Sequence, residues 1–333
     1  MKHPENYLFC LLIVIFVQSP LQAQYAPPAG QPGTTAIARD SNIIIGWAYD
    51  CAIERGYINM ADTAMAYNGV NKATYGSYLY ASGPSDEYVV SLGDHGSAIL
   101  GFNPPIENHE GPDFAVFENS FGDLFLELAF VEVSSDGKCF FRFPAVSLTP
   151  QDIQVPTFGT IDATQVHNLA GKYRMGYGTP FDLDDMKGVS GLDLHKISHV
   201  KIVDVGGCID PSYAVYDSQG HKINDPWPTP FETSGFDLDA VGVINNSMKQ
   251  TGVHNVLETI KTYPNPVEKD LNIDTDSGLT INLEILSPEG LIVHKAIFCL
   301  KLSLDMSHYP AGLYIARFSL NDGSTTCRKI VKK

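Results

Sequence analysis

Positive charge is scarce in this 333-residue chain: 22 Lys and Arg stand against 38 Asp and Glu, a formal net charge of −16. The deficit is uneven. Residues 24–260 hold 12 basic and 29 acidic side chains, whereas 261–333 hold 9 and 8. So acidic a body disfavours nucleic acid and anionic membranes as partners, because both are polyanions. Tryptophan occurs only twice, and the cysteines are too far apart to form the Cys-x-x-Cys units of a zinc site. Also missing are a Gly-x-Ser-x-Gly elbow, a His-Glu-x-x-His helix and a phosphate-cradling glycine loop. No apolar run reaches the roughly twenty residues of a membrane helix.

The apolar run at 8–17 follows Lys2 and precedes Ala23, a small residue just before Gln24. That order is the pattern of a cleavable signal peptide over 1–23, after whose removal no membrane-spanning segment is expected. Cys10 sits inside the run, which argues against a lipid-modified cysteine. Five cysteines remain beyond it: Cys51, Cys139, Cys208, Cys299 and Cys327. Export permits disulfides, but an odd count leaves at least one thiol unpaired and spacing does not settle the pairing.

The body reads as β nearly throughout. Short apolar runs at 88–92 and 98–102 flank Gly93-Asp94-His95-Gly96 as a hairpin. Further strands are expected at 113–119, 124–134, 139–143, 199–205 and 236–244. Both faces of 126–133 are apolar, which suits an inner strand of a two-layer sandwich. A weak helical stripe runs over 51–66. In Phe236-Asp237-Leu238-Asp239-Ala240, alternation sets Asp237 and Asp239 on one face and the apolar residues on the other. Residues 159–191 form a long loop with aromatic side chains, expected to pack over or line a site.

The C-terminal region carries an ordered set of motifs: Tyr263-Pro264-Asn265-Pro266, Leu271-Asn272-Ile273, a strand ending at Gly290, Ala311-Gly312-Leu313-Tyr314, and Lys329-Ile330-Val331-Lys332-Lys333. In this order they resemble the C-terminal sorting domain of the Bacteroidetes type IX secretion system. The resemblance covers 262–333, behind a linker at 246–261. It implies a small immunoglobulin-like β-sandwich that engages the type IX machinery, export through the outer membrane, and a secreted or cell-surface protein.

A second resemblance lies upstream. Gly111-Pro112-Asp113-Phe114-Ala115-Val116-Phe117-Glu118-Asn119, Phe130-Val131-Glu132-Val133-Ser134-Ser135-Asp136-Gly137 and Ser234-Gly235-Phe236-Asp237-Leu238-Asp239-Ala240-Val241 look like segments of bacterial cell-surface proteins of uncertain role. The expected body, 24–245, is an all-β, jelly-roll-like sandwich. It is similar at fold level to jelly-roll carbohydrate-binding modules, whose last strand often bears a calcium ligand.

Carboxylates drawn from several loops suit calcium, a hard cation that takes six to eight oxygens. Asp113, Glu118, Asp204, Asp237 and Asp239 are the expected ligands of a structural ion. Tyr173, Arg174, Tyr177, Phe181 and Trp227 are the expected ligand-binding side chains, because flat rings stack on sugar faces while polar neighbours orient hydroxyls. No catalytic residue is assigned. As a glycosidase pair, Glu118 and Glu127 would have to flank one bond about 5 to 9.5 Å apart, yet 119–126 lacks the alternation that sets both on one strand face. His167, Tyr173 and Arg174 would suit a polysaccharide lyase. The leading expectation is a non-catalytic surface protein that binds a glycan, set against a carbohydrate-active enzyme, a structural or adhesive protein, or a nutrient-capture protein.

Overall fold

The computed structural model describes residues 25–246, 256–275, 279–320 and 324–333. The signal peptide and Cys10 lie outside the described residues, as does most of the linker. In chain order the body strands are β1 (Ile37–Ala38), β2 (Gly46–Trp47), β3 (Asp50–Glu54), β4 (Val90–Ser91), β5 (Ser97–Ile106), β6 (Phe114–Glu118) and β7 (Ala129–Ser134). There follow β8 (Phe141–Arg142), β9 (Val146–Ser147), β10 (Val166–His167), β11 (Tyr177–Phe181), β12 (Ile197–Asp204) and β13 (Asp237–Val243). No helix of the described residues is long and apolar enough to cross a membrane.

Two antiparallel sheets face each other. One has the order β1-β11-β6-β13-β2 with β4 on β13, and the other β3-β5-β12-β7-β8. Strands β5, β6 and β7, and again β11, β12 and β13, step from one sheet to the other, the alternation of a jelly roll. Between the sheets lie Leu100, Phe114, Val131, Phe181, Ile202 and Val241. Phe114 and Phe181 stack at 5.3 Å, with the Phe143 edge on Phe181 at 5.1 Å. A second cluster, with Leu126, Leu128, Phe130, Ile161 and Val205, fills the outer side of β7. This double burial explains why 126–133 is apolar on both faces.

Three local expectations are corrected. The runs at 88–92 and 98–102 are not a hairpin, since β4 pairs with β13 and β5 with β3 and β12 in the opposite sheet. Leu92 N and Gly93 N donate to Phe236 and Ser234 carbonyls, so the glycine turn is a crossing between layers. The stripe at 51–66 is β3 followed by a loop. Gly56 N bonds Leu92 O, and a Cβ on Gly56 would lie 2.0 Å from Asp94 O. Alternation fails in β13 because its pairing with β6 shifts between Leu238 and Ala240, a bulge. Leu238 faces the sandwich core, whereas Ala240 packs on the outer side with Phe117.

The C-terminal region is a separate two-sheet sandwich. Strands β14 (Lys261–Tyr263), β15 (Asp270–Asp274) and β18 (Lys301–Asp305) form one sheet. The other has the order β17 (Ile292–Phe298), β16 (Ile281–Leu286), β19 (Gly312–Ser319), β20 (Thr325–Lys332). Leu271, Ile273, Leu283, Ile285, Tyr314 and Phe318 fill its core. It docks on the body: Leu79 of the body packs with Leu286, Ile315 and Cys327, and Cys327 Sγ lies 3.8 Å from Tyr49 O. Lys329 Nζ reaches Asp86 at 2.6 Å and Asp239 at 3.5 Å. All five cysteines described are free thiols.

Candidate functional site

Where β6 ends and β13 begins, the chain opens into a pocket of about 340 Å³. Tyr75, Phe121, Phe125, Phe158 and Phe231 line it, with Asn119, Thr157, Thr229 and Thr233 between the rings and Glu127 and Asp237 among them. Phe121 and Phe158 are 85% and 76% exposed, which for apolar rings gathered in one patch is unfavourable in water and marks an interaction site. The rings form a chain, with centroids 5.9 Å apart for Phe121 and Phe125, 6.3 Å for Phe125 and Phe158, and 6.2 Å for Phe158 and Phe231.

The backbone behind these rings is braced. Ser120 Oγ donates to Gly122 O and Phe125 O, folding 120–125 into a tight turn. Ile161 N bonds Leu124 O, and Thr157 Oγ1 donates to Pro228 O, which ties the Phe158 segment to its neighbours. Thr74 N and Tyr75 N both donate to Glu232 O, fixing the 229–233 loop beside Tyr75. The exposed rings thus stand on hydrogen-bonded supports.

The acids gather beneath. Asp237 accepts from Ser91 Oγ and from the Asn119 side chain, and Arg55 is the cation nearest it. Burial, the largest cause, pushes Asp237 up to about 7. Arg55 is itself committed to backbone carbonyls, those of Tyr75, Ser91 and Gly76. Glu118 is fully buried behind Asp237; its Oε2 accepts from Ser120 N at 2.8 Å, and its Oε1 has no hydrogen-bond partner. Burial, then Asp237, drives Glu118 well above the carboxylate range. Glu127 is half-buried in the pocket wall and is raised likewise, by burial and then by Asp237, Glu118, Asp225 and Asp204. Farther in, Asp204 is pushed up to about 7 by burial and Asp94, while it accepts from His95 N, Gly206 N and Phe236 N.

The five carboxylates expected around one ion are dispersed. Asp113 is spent on His109 N, Leu183 N and Asn245 Nδ2, bracing two loops. Asp239, the bulge residue, accepts from Ser85 Oγ and the Asp86 and Glu87 amides and faces Lys329. Only Glu118 and Asp237 come together. Among the described residues no group of three or more His, Cys, Asp or Glu side chains is placed to hold a metal ion.

The expected ligand-binding rings also fall elsewhere. Tyr173 is buried, its hydroxyl 2.8 Å from Thr35 Oγ1, and Phe181 is a core residue. Arg174 pairs with Asp123, bonds Ala29 O and lies 4.8 Å from the centre of the Tyr177 ring. Trp227 donates its indole N–H to Asp94 at 3.1 Å. The 159–191 segment does line a cavity, one of about 620 Å³ with Tyr25, His167, Lys172, Asp182 and Asp185. It is not bordered by Asp237, and its polar groups are engaged internally: Lys172 Nζ donates to Val166 O, and Asn168 Nδ2 to Asp185. Lys172 is nonetheless lowered to about 8 by burial.

The rings of the acid-floored pocket escaped sequence reasoning because they come from four separate segments. Their one local sign is an apolar ring beside glycine in a polar turn, as in Ser120-Phe121-Gly122-Asp123 and Phe158-Gly159.

Residues 261–333 match a family model described as a secretion system C-terminal sorting domain. No curated protein sequence matches the chain. Among solved structures, a β-glucuronidase from Ruminococcus gnavus bound to C6-substituted uronic isofagomine is 11% identical, with a TM-score of 0.22 over 77% of this chain and 37% of that one. Dimeric latent PorU from Porphyromonas gingivalis is 12% identical, with a TM-score of 0.20 over 74% and 19%. The chain therefore spans less than half the length of these solved proteins, and scores so low carry no argument about the body.

Proposed function

Because residues 261–333 are a type IX secretion sorting domain, which directs the chain to the cell surface or exterior and engages that secretion machinery, we propose that the body is an extracellular glycan-binding module. The observation that carries this reading is the pocket of solvent-exposed phenylalanines over hydrogen-bond acceptors. Rings stack on the apolar faces of a pyranose, while carboxylate and threonine oxygens take its hydroxyl protons. The volume is near the lower end of the roughly 300–1,000 Å³ usual for small-molecule sites, so one sugar ring is held and the remainder of a polymer stays outside.

The test is a glycan array followed by calorimetry on the full exported chain. Replacing both Phe121 and Phe158 with alanine is expected to weaken binding by about tenfold or more, with the melting temperature little changed, because these rings are 85% and 76% exposed and contribute little to folding. Failure of any glycan to bind, or binding indifferent to both rings, overturns the proposal.

A second reading is favoured by the raised carboxyls. A protonated Glu127 opposite Asp237 has the chemistry of a glycosidase acid and its partner. That reading predicts release of reducing ends from the bound polymer, abolished by Glu127→Gln. Binding without release leaves the module reading in place.

A further inference from the structure

The cavity beside the 159–191 segment holds a buried cation that the fold positions without neutralising it. Ala170 is bridged to Ala129 of β7, and Gly171 (φ +80°) has no room for a side chain, since a Cβ there would lie 1.7 Å from Glu127 O. These contacts fix the backbone from which Lys172 enters the protein, only 5% exposed. It lines the cavity of about 620 Å³, a volume within the roughly 300–1,000 Å³ usual for small-molecule sites. Among the described residues its ammonium forms no ion pair. Its contacts are Val166 O at 2.7 Å and the Tyr25 and Tyr173 rings, 5.9 and 5.7 Å to their centres, and Asp162 acts on it only at longer range. An ammonium has three protons to donate, and a carbonyl here takes one. Ring faces soften the loss of hydration, but a charge taken out of water is fully compensated only by an opposite charge.

The remaining walls narrow what that charge belongs to. Tyr25, whose N–H donates to Thr164 O, stacks on His167 with centroids 4.9 Å apart and planes 4° apart, which gives a flat face. Burial lowers His167, so this face carries little charge at pH 7. Asp182 and Asp185 border the cavity from the turn at 182–186, the first half-buried and the second exposed. Asp182 accepts from Asp184 N and Asp185 from Asn168 Nδ2, and each carboxylate has lone pairs to spare. They oppose a second negative charge and can accept hydroxyl protons. A phosphate dianion is therefore disfavoured and a neutral sugar leaves Lys172 unanswered, whereas a single carboxylate on a hydroxylated ring meets both ends. We propose that this cavity is a second ligand site, for a sugar acid whose carboxylate pairs with the Lys172 ammonium, whose ring lies against Tyr25 and His167, and whose hydroxyls donate to Asp182 and Asp185. It shares no lining residue with the phenylalanine pocket and stands apart from the reading of that pocket.

The test is calorimetric titration of the full exported chain at pH 7 with D-glucuronate, with D-glucuronamide, which differs only in having a carboxamide for the carboxylate, and with inorganic phosphate. Glucuronate is expected to bind about tenfold or more tighter than the other two, the range of a charge-assisted bond to a buried ammonium. Lys172→Met removes that preference, and circular dichroism checks that the variant is folded. Should it not fold, the unmodified chain at pH 9.5 serves instead: Lys172, lowered to about 8, is then largely neutral and the preference for glucuronate over its amide disappears. The other titratable groups facing the ammonium are Tyr25, Tyr173, His167, Asp162, Asp182 and Asp185, and the amide, titrated at both pH values, corrects for what they contribute to holding the neutral ring. Equal affinity for glucuronate and glucuronamide, or a preference that survives Lys172→Met or pH 9.5, overturns the pairing with Lys172. Phosphate binding as tightly as glucuronate overturns the carboxylate assignment, and no binding by any of the three overturns the site. Loss of glycan binding with Phe121 and Phe158 and loss of glucuronate binding with Lys172 are separate results, so either reading can fall while the other stands.

Discussion

Replacing Lys329 with methionine is expected to destabilise the chain by about 3 kcal/mol, a melting-temperature drop on the order of 6–12 °C by calorimetry. The Lys329 side chain is 4% exposed and its ammonium faces Asp86 and Asp239, whose side chains are 30% and 1% exposed. Methionine keeps the apolar stem but leaves Asp239 buried with only Ser85 Oγ and the Asp86 and Glu87 amides as donors. Removing one member of a buried pair costs more than the pair contributes, because the survivor has been desolvated for nothing. Burial already raises the Asp239 carboxyl and Lys329 opposes that rise. Without Lys329 the carboxyl takes up a proton more readily, so the deficit shrinks as pH falls from 8 to 5. A change below about 2 °C, or a deficit that ignores pH, contradicts the argument.

The second large effect is a body that grows more stable on mild acidification. Burial pushes Asp204 and Asp237 up to about 7, against 3.8 for a free aspartate side chain. Between those values the folded chain binds more protons than the unfolded chain, so unfolding becomes harder as pH falls through 7 and the gain is complete near 4. Glu118, Glu127 and Asp225 shift in the same direction. Asp217 and Glu284, held below the usual range, act oppositely, but their contributions are lost only at lower pH still. The expected gain between pH 8 and pH 5 is on the order of 2 kcal/mol, about 4–8 °C at constant ionic strength. A melting temperature that stays level or falls across that interval would show that the acids are compensated in a way their surroundings do not reveal.

How far composition and pattern reach is uneven. The C-terminal domain was legible through its resemblance to a known sorting domain, carried by motifs that stand in a fixed order at its turns and strand ends. Strand positions in the body followed from apolar runs, and the two-sided burial of 126–133 has its physical cause in the core on each side of β7. Pairing was another matter. A glycine turn between two apolar runs reads the same whether it closes a hairpin or carries the chain between layers, and only contacts more than a hundred residues away, such as Leu92 with Phe236, decide. The site failed for a related reason. Aromatic residues crowded into 159–191 suggested a binding face, yet Tyr173 and Phe181 turned inward, while the exposed rings are scattered from 75 to 231. No strand carries both Glu118 and Glu127, and alternation therefore gives no sign of the electrostatic influence Glu118 exerts on Glu127 across the turn braced by Ser120.

The seam between body and tail has one more consequence. A cut in the segment joining them breaks a single peptide bond and touches none of the contacts among Tyr49, Leu79, Cys327, Lys329 and Asp239. After such a cut, departure of the tail would be a dissociation event with its own lifetime, set by how fast a desolvated ion pair and a small oily seam come apart. Two chains so held would behave as one particle until the seam opened, an interval governed by kinetics and not by proteolysis.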